Sequence, residues 1–274
     1  MGPNKSIEFF DGQFQRQFRE RDFALNPFET VALDYLTGTV LDLGAGLGNL
    51  SLAAGRRGHQ VVAVDASPTA VARINADAQN EGIPVRAIQA EVSAETVDAS
   101  YDTIVAIGLL MFFGRQQARA VLDSIAEHVA PGGRAIINVL IEGTTFLGMF
   151  DPENYYLFRP RELEERFEGW NLLLSRFDTF PAPEETKKEF STVIVQKPFC
   201  SAGARLGASE QTPRLSSRSA DPSPTRRSTH NRASLWTVIP ERGYRFFGIT
   251  SAWTPCLPNR GGSPGRVPRC YRAS

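Results

Sequence analysis

The sequence predicts an α/β protein: a Rossmann-like, doubly wound sheet of seven mostly parallel strands with an antiparallel last strand, followed by a disordered tail. Three observations carry this. Short β-branched runs alternate with helical stretches between residues 38 and 140, as in successive βαβ units. The first of these runs breaks into a glycine-rich turn, Gly44-Ala45-Gly46-Leu47-Gly48. After residue 197 the text changes to Ser, Pro, Gly and Arg, without Lys and without sustained periodicity.

Strands are expected at Thr39–Leu43, Gln60–Asp65, Val85–Ala90, Tyr101–Ile107, Arg134–Leu140, Asn171–Arg176 and Glu189–Gln196. After the second strand, Ser67-Pro68 reads as a capping hydroxyl followed by proline in the first helical turn, where its missing N–H costs nothing. Val71, Ile74 and Ala78 then mark an apolar helix face. A helix over Gln116–His128 turns Ala118, Val121, Leu122 and Ile125 to the sheet, and Ala130-Pro131-Gly132-Gly133 is expected to end it and turn into the fifth strand. Arg161–Phe167 forms a short helix with Leu163 and Phe167 one turn apart, and the last two strands close the sheet as a hairpin. Before residue 38, Phe9, Phe10, Phe14, Phe18, Phe23 and Phe28 stand among charges, and Asn26-Pro27 opens a helix through Leu36. The chain thus divides into a helical cap or lid over 1–37, a ligand-binding domain over 38–197 and a tail over 198–274.

The net charge of zero conceals an asymmetry. Residues 1–197 carry 18 Lys+Arg against 27 Asp+Glu, and residues 198–274 carry 12 against 3. An acidic domain without a basic run or stripe argues against a nucleic-acid partner. Cys200, Cys256 and Cys270 all lie in the tail, so the domain has neither a disulfide framework nor a thiolate metal site. His59, His128 and His230 are too scattered to suggest a metal. No apolar stretch is long enough to cross a membrane and the N-terminus has no apolar signal core, which makes a cytoplasmic protein the expectation. The tail is expected to be a disordered appendage or an out-of-frame extension, with a basic arm for an acidic partner as the alternative.

The chemistry concentrates at the first glycine turn. Val40-Leu41-Asp42-Leu43 leads into it, and it lies at the carboxyl end of the first strand, where open α/β sheets bind ligands. A dinucleotide fingerprint would be G-x-G-x-x-G, but the third glycine arrives one position early and Asn49 takes its place. Asp42 precedes the turn, and an acid there suits a ligand bearing an ammonium and a sulfonium better than a pyrophosphate. Asp65 ends the second strand at the spacing of a carboxylate that accepts hydrogen bonds from ribose hydroxyls. After the third strand, Glu91 offers an acceptor where an adenine amino group would lie, with a surface glutamate as the alternative. The fourth strand runs on into Gly108-Leu109-Leu110-Met111-Phe112-Phe113, an apolar run where a methyl group and its acceptor would meet. It holds no Asn/Asp-Pro-Pro-aromatic tetrapeptide of the kind used to methylate DNA amines.

On Asp42, the three turn glycines, Asp65, Glu91, Tyr101-Asp102 and Pro131-Gly132-Gly133, the chain resembles the class I S-adenosylmethionine-dependent methyltransferases. Within them it looks most like the TehB-type tellurite-resistance family, through Leu110-Met111-Phe112 and the stretch from Phe158-Arg159-Pro160 to Trp170. The likeness covers about residues 36–197. It implies that S-adenosylmethionine is held by Asp42, Gly44, Ala45, Gly46, Gly48, Asn49, Asp65, Ala66, Glu91, Val92, Ile107 and Leu110. Two departures stand out: Glu91 replaces the usual Asp, and no His-Arg pair precedes the last strand, so tellurite gains no support as natural substrate.

The expected reaction is in-line methyl transfer to a small molecule, such as a metalloid oxyanion, thiol or carboxylate, by a monomer or homodimer without metal. Holding acceptor and methyl at attack distance in an apolar pocket would supply most of the rate. Arg159 would orient an anion, or else only flank the helix that follows it, while Tyr155, Tyr156 or Asp11 would assist a hydroxyl or amine. A nicotinamide-dependent oxidoreductase and a non-catalytic S-adenosylmethionine-binding protein are the competing readings.

Overall fold

The computed structural model describes residues 5–20 and 23–199. Everything expected of the tail from residue 200 onward, including its three cysteines and His230, lies outside the described residues, as does the side chain of Asp11.

The elements are α1 (Lys5–Glu20), α2 (Pro27–Leu33), β1 (Val40–Leu43), α3 (Asn49–Arg56), β2 (Val61–Asp65), α4 (Pro68–Glu81), β3 (Val85–Gln89), β4 (Tyr101–Ile107), α5 (Arg115–His128), β5 (Val129–Leu140), α6 (Glu162–Arg166), β6 (Asn171–Pro181) and β7 (Lys187–Gln196). Single 3-10 turns occupy Ala94–Thr96 and Leu110–Phe112. The sheet has seven strands in the order β3-β2-β1-β4-β5-β7-β6. The five strands from β3 to β5 are parallel, and β7 inserts antiparallel between β5 and β6. The expected doubly wound sheet with its antiparallel closing strand is therefore what forms.

Alternation along the central strands sorts side chains onto two faces. Leu41, Leu43, Ile104, Ala106, Ile137 and Val193 meet Ala118, Val121, Leu122 and Ile125 of α5, the four positions expected there. Val40, Val105, Ile136 and Ile194 meet α2, α3 and α4 on the other face. Ile104 is wholly buried, and cutting it to alanine would cost about 2–5 kcal/mol through lost transfer energy and the cavity left behind.

Boundaries depart from expectation where distant segments intervene. The helix from Asn26-Pro27 stops at Leu33, short of Leu36, because the following residues are drawn to β4. Thr37 N–H donates to the Thr103 hydroxyl at 3.0 Å and Thr39 N–H to the Asp102 carboxylate at 2.8 Å. Ala130–Gly133 forms no turn but is the bulged start of β5, with Val129 opposite Tyr101 and Gly132 at φ 78°. Gly132 N–H still reaches the carbonyl of Lys197, and Lys197 N–H that of Gly133. The closing hairpin is also longer than expected: pairing continues to Pro181 opposite Lys187.

Candidate active site

The turn after β1 is built from three directions. From β2, the Val64 carbonyl accepts the N–H groups of Gly44 and Ala45 at 2.8 and 3.1 Å. From α4, Ile74 lies so close to Gly48 that a Cβ there would stand 2.3 Å from its side chain, and Gly48 has the left-handed φ of 74°. Any side chain there would strain the backbone and displace Ile74. From α1, the Phe14 ring lies over Gly46, 3.4 Å from where a Cβ would be.

Asp65 ends β2 with both carboxylate oxygens engaged. One accepts Gly46 N–H at 2.7 Å and the other Ser67 N–H at 2.8 Å, so the expected ribose acid also orders the turn. Asp42 is buried beneath the turn and accepts the Ser51 hydroxyl at 2.6 Å. Burial pushes its carboxyl up to about 6; the Ser51 hydrogen bond pulls it down and the nearby charge of Asp65 adds to the rise.

Two charged residues that sequence reasoning did not single out close on this turn. Glu29, in the first turn of α2, accepts Asn26 N–H at 2.8 Å while the Asn26 side chain caps the N–H groups of Phe28 and Glu29. Desolvation pushes Glu29 up to about 7, with Asp42 adding to the rise and the Asn26 N–H and Arg73 opposing it. Its Asn-x-x-Glu spacing was readable only as a helix start. Arg73 of α4 is buried; it donates to the Leu47 carbonyl and to Asn49 Oδ1 at 2.8 Å, and its guanidinium lies 3.8 Å from the centre of the Phe23 ring. Asn49 also donates to the Ala24 carbonyl at 3.3 Å, so it ties the turn to α4 and to the segment before α2.

Around the other residues expected to hold the cofactor, Ala66 is half-buried and accepts from the Gln89 side chain, while Glu91 is exposed just past β3 and Val92 is buried against the core under α5. Ile107 is half-buried at the tip of β4. Gly108 follows at φ 67°, its N–H bound to the Asn138 carbonyl at 3.0 Å, and a Cβ there would meet nothing within 4 Å. The backbone thus leaves open space at the strand tip beside the glycine turn. The glycine turn, the acids Asp42 and Asp65 near the ends of two strands and this opening are chemically compatible with a nucleoside carrying an ammonium and a sulfonium.

Beyond Gly108, Leu110 packs into the main core and Met111 and Phe112 into an aromatic cluster. Phe112 meets Phe10 of α1 edge-on at 4.9 Å and Phe150 at 5.0 Å, and Tyr155 stacks on Phe150 at 4.8 Å. Phe28 and Phe190 extend the cluster, and the ammonium of buried Lys188 lies 4.6 Å from the centre of the Phe146 ring. Asn138 is wholly buried, donates to the Thr192 hydroxyl at 2.9 Å and has no partner for Oδ1 among the described residues.

Tyr156 and Arg159 belong to a separate network. The Tyr156 hydroxyl donates to Glu162, which also accepts from Arg119 at 2.8 Å and from Arg159 N–H at 3.0 Å. The Arg159 guanidinium donates to Glu165 at 2.6 Å. Among the described residues no cluster of His, Cys, Asp or Glu could hold a metal, and no helix is long and apolar enough to cross a membrane.

Residues 40–133 match the family model described as a methyltransferase domain. The chain is 28% identical over 173 residues to hemagglutinin 1 of Eikenella corrodens, covering 58% of this chain and 54% of that protein. It is 33% identical over 102 residues to the cypemycin N-terminal methyltransferase of a Streptomyces species, covering 36% of this chain and 41% of that protein. It therefore spans about half or less of these relatives. In fold it resembles TehB from Haemophilus influenzae, with a TM-score of 0.57 at 22% identity, over 66% of this chain and 65% of that one.

Proposed function

We propose that this chain, whose residues 40–133 match a methyltransferase domain, is a class I, S-adenosylmethionine-dependent enzyme that methylates a small-molecule acceptor. The observation that carries this reading is the junction of the glycine turn with Asp65 beside the open tip of β4. When bound, S-adenosylmethionine supplies an electrophilic methyl group on a sulfonium. Asp65 would hold the ribose, Asp42 with Glu29 would provide negative potential toward the cationic end, and Glu91 is placed after β3 for the adenine. Ala66 and Ile107, both half-buried, would form the apolar floor, with Val92 and Leu110 packed behind them in the core.

The acceptor would lie between Gly108 and the aromatic cluster, with Phe10 and Phe14 of α1 acting as a lid that excludes water from the reacting atoms. The rate would come chiefly from alignment in that dry space. Tyr155 lines the cluster, whereas Tyr156 and Arg159 are held by Glu162 and Glu165. Candidate acceptors are tellurite, small thiols and small carboxylates.

Calorimetric titration with S-adenosylmethionine and with NADH tests the reading, followed by measurement of S-adenosylhomocysteine release across those acceptors. Binding of the first ligand and release with one acceptor class are expected. Preference for NADH would replace the reading with an oxidoreductase, and binding without release under any acceptor would leave a binding protein.

A further inference from the structure

Strand β6 closes one side of the sheet. Among the described residues only β7 pairs with it, which leaves the backbone groups of its outer side open to a further strand. Bulges and prolines limit such pairing, and β6 has both: its register with β7 shifts between Leu172 and Leu174, and Pro181 ends it without an N–H to donate. The regular stretch between them, Leu174–Phe180, has its midpoint at Phe177. Phe177 is 49% exposed and Leu172 50%, and both lie on the face that carries Ser175, opposite Ser191, Val195 and Val193 of β7. On the other face Arg176 and Asp178 stand either side of Phe177 and pair with each other at 2.7 Å. The opposite edge strand, β3, runs only from Val85 to Gln89 and has a base without an acid.

We propose that the β6 edge pairs with the β6 edge of a second copy of this chain, antiparallel about a two-fold axis at Phe177, so that two sheets become one. Opposed residues of an antiparallel pair share a face, so the axis must fall on a residue and not between two. With the axis on Phe177, Arg176 faces Asp178 of the second copy and Asp178 faces its Arg176. Each charge then has an opposite charge along its own strand and another across the interface. An axis on Arg176 or on Asp178 would instead set like charges against each other. The same register brings the two exposed Phe177 rings together and sets Leu174 opposite Phe180 of the second copy. It also aligns the bulge of one copy with Pro181 of the other, where pairing ends in both. The charges, the exposed ring and the usable length of strand thus select one register. The edge lies three strands away from β1 and its glycine turn, so this interface does not rest on the methyl-transfer reading.

The test is sedimentation of the full chain from about 1 to about 100 μM, the range suited to an interface at the small end of the size scale. Wild type is expected to be dimeric at the upper end. Arg176→Asp sets acids opposite acids and Asp178→Arg sets bases opposite bases, so each variant alone should self-associate at least about tenfold more weakly. An equimolar mixture of the two should regain dimers, because the acids of one chain then face the bases of the other. Wild type that stays monomeric at about 100 μM, homodimers as tight as wild type in either variant, or a mixture that stays monomeric overturns the proposal. Should a variant fail to fold, hydrogen exchange of wild type decides. Amides of Leu174–Phe180 are expected to exchange faster on dilution, and protection that does not change with concentration, as from another part of the same chain lying on the edge, overturns the pairing.

Discussion

The backbone N–H of Gly46 donates to Oδ2 of Asp65 over 2.7 Å, fastening the turn after β1 to the acid at the end of β2. Asp65→Ala should therefore lower stability as well as affinity, because it strips the acceptor from Gly46 and Ser67 N–H together. Each bond to a charged group is worth about 1.5–3 kcal/mol. Asp65→Asn, which keeps one acceptor oxygen, should recover part of the stability and little of the affinity. Denaturant melts beside calorimetry separate the two losses, and unchanged S-adenosylmethionine affinity in a folded Ala variant would remove Asp65 from the site.

Asp42 makes stability depend on pH in an unusual direction. Its carboxyl has the ordinary value near 3.8 in the unfolded chain and about 6 in the fold, so between those pH values the native state holds the extra proton. Stability then falls as pH rises through the window, by about 3 kcal/mol for a shift of about two units. Glu29 acts in the same sense up to about pH 7. The ligand-free Asp42→Asn protein is predicted to be more stable than wild type at pH 7.5, with the gap closing near pH 4, yet to bind S-adenosylmethionine more weakly. Unfolding midpoints at both pH values check this; a variant less stable than wild type at pH 7.5 would contradict it.

Gly48 and Gly108 share a left-handed backbone but differ in surroundings. A Cβ at Gly48 would stand 2.3 Å from Ile74, and one at Gly108 would meet nothing within 4 Å. Gly48→Ala should cost the backbone strain of about 1–2 kcal/mol plus about 1–3 kcal/mol of overpacking, and Gly108→Ala the strain alone. Gly108→Ala should nonetheless lose more ligand affinity than stability, because its methyl group enters the open tip of β4. A thermal melt and a titration of each variant give the comparison, and equal melting temperatures would show that Ile74 yields.

The Lys197 ammonium caps the end of α5, donating to the carbonyls of Ala126, Glu127 and Val129 at 2.8, 2.9 and 2.8 Å. Lys197→Ala is predicted to cost about 1–3 kcal/mol, visible as a drop of several degrees in Tm. A chain ending after Phe199, whose ring lies against Gly132, should melt within about two degrees of the full chain. A larger fall on that truncation would place part of the fold beyond residue 199.

The elements whose cause is local were legible in the sequence. Strand β4 runs from Tyr101 to Ile107 as expected, and α5 buries Ala118, Val121, Leu122 and Ile125, because periodicity within one segment decides which residues face inward. The glycine turn and Asp65 were legible for a similar reason: each is a short motif at a strand tip. Their hydrogen bond was not, because 19 residues separate Gly46 from Asp65 and only pairing of β1 with β2 brings them together. The shortened α2 and the bulged start of β5 likewise answer to partners far along the chain.

What the sequence by itself determined is the kind of fold and the position of the glycine turn, since spacing and residue chemistry suffice for both. Only the tertiary structure decided the electrical character of the site. Glu29 and Arg73 reach the turn because α2 and α4 pack on the same face, and the pairing of β7 with β5 and β6 sends Lys188 inward while Lys187 stays outside. Arg159, equally basic in sequence, stays half-exposed and pairs with Glu165. A charge acquires its meaning from desolvation and from its neighbours, and both are set by contacts between segments that no local pattern encodes.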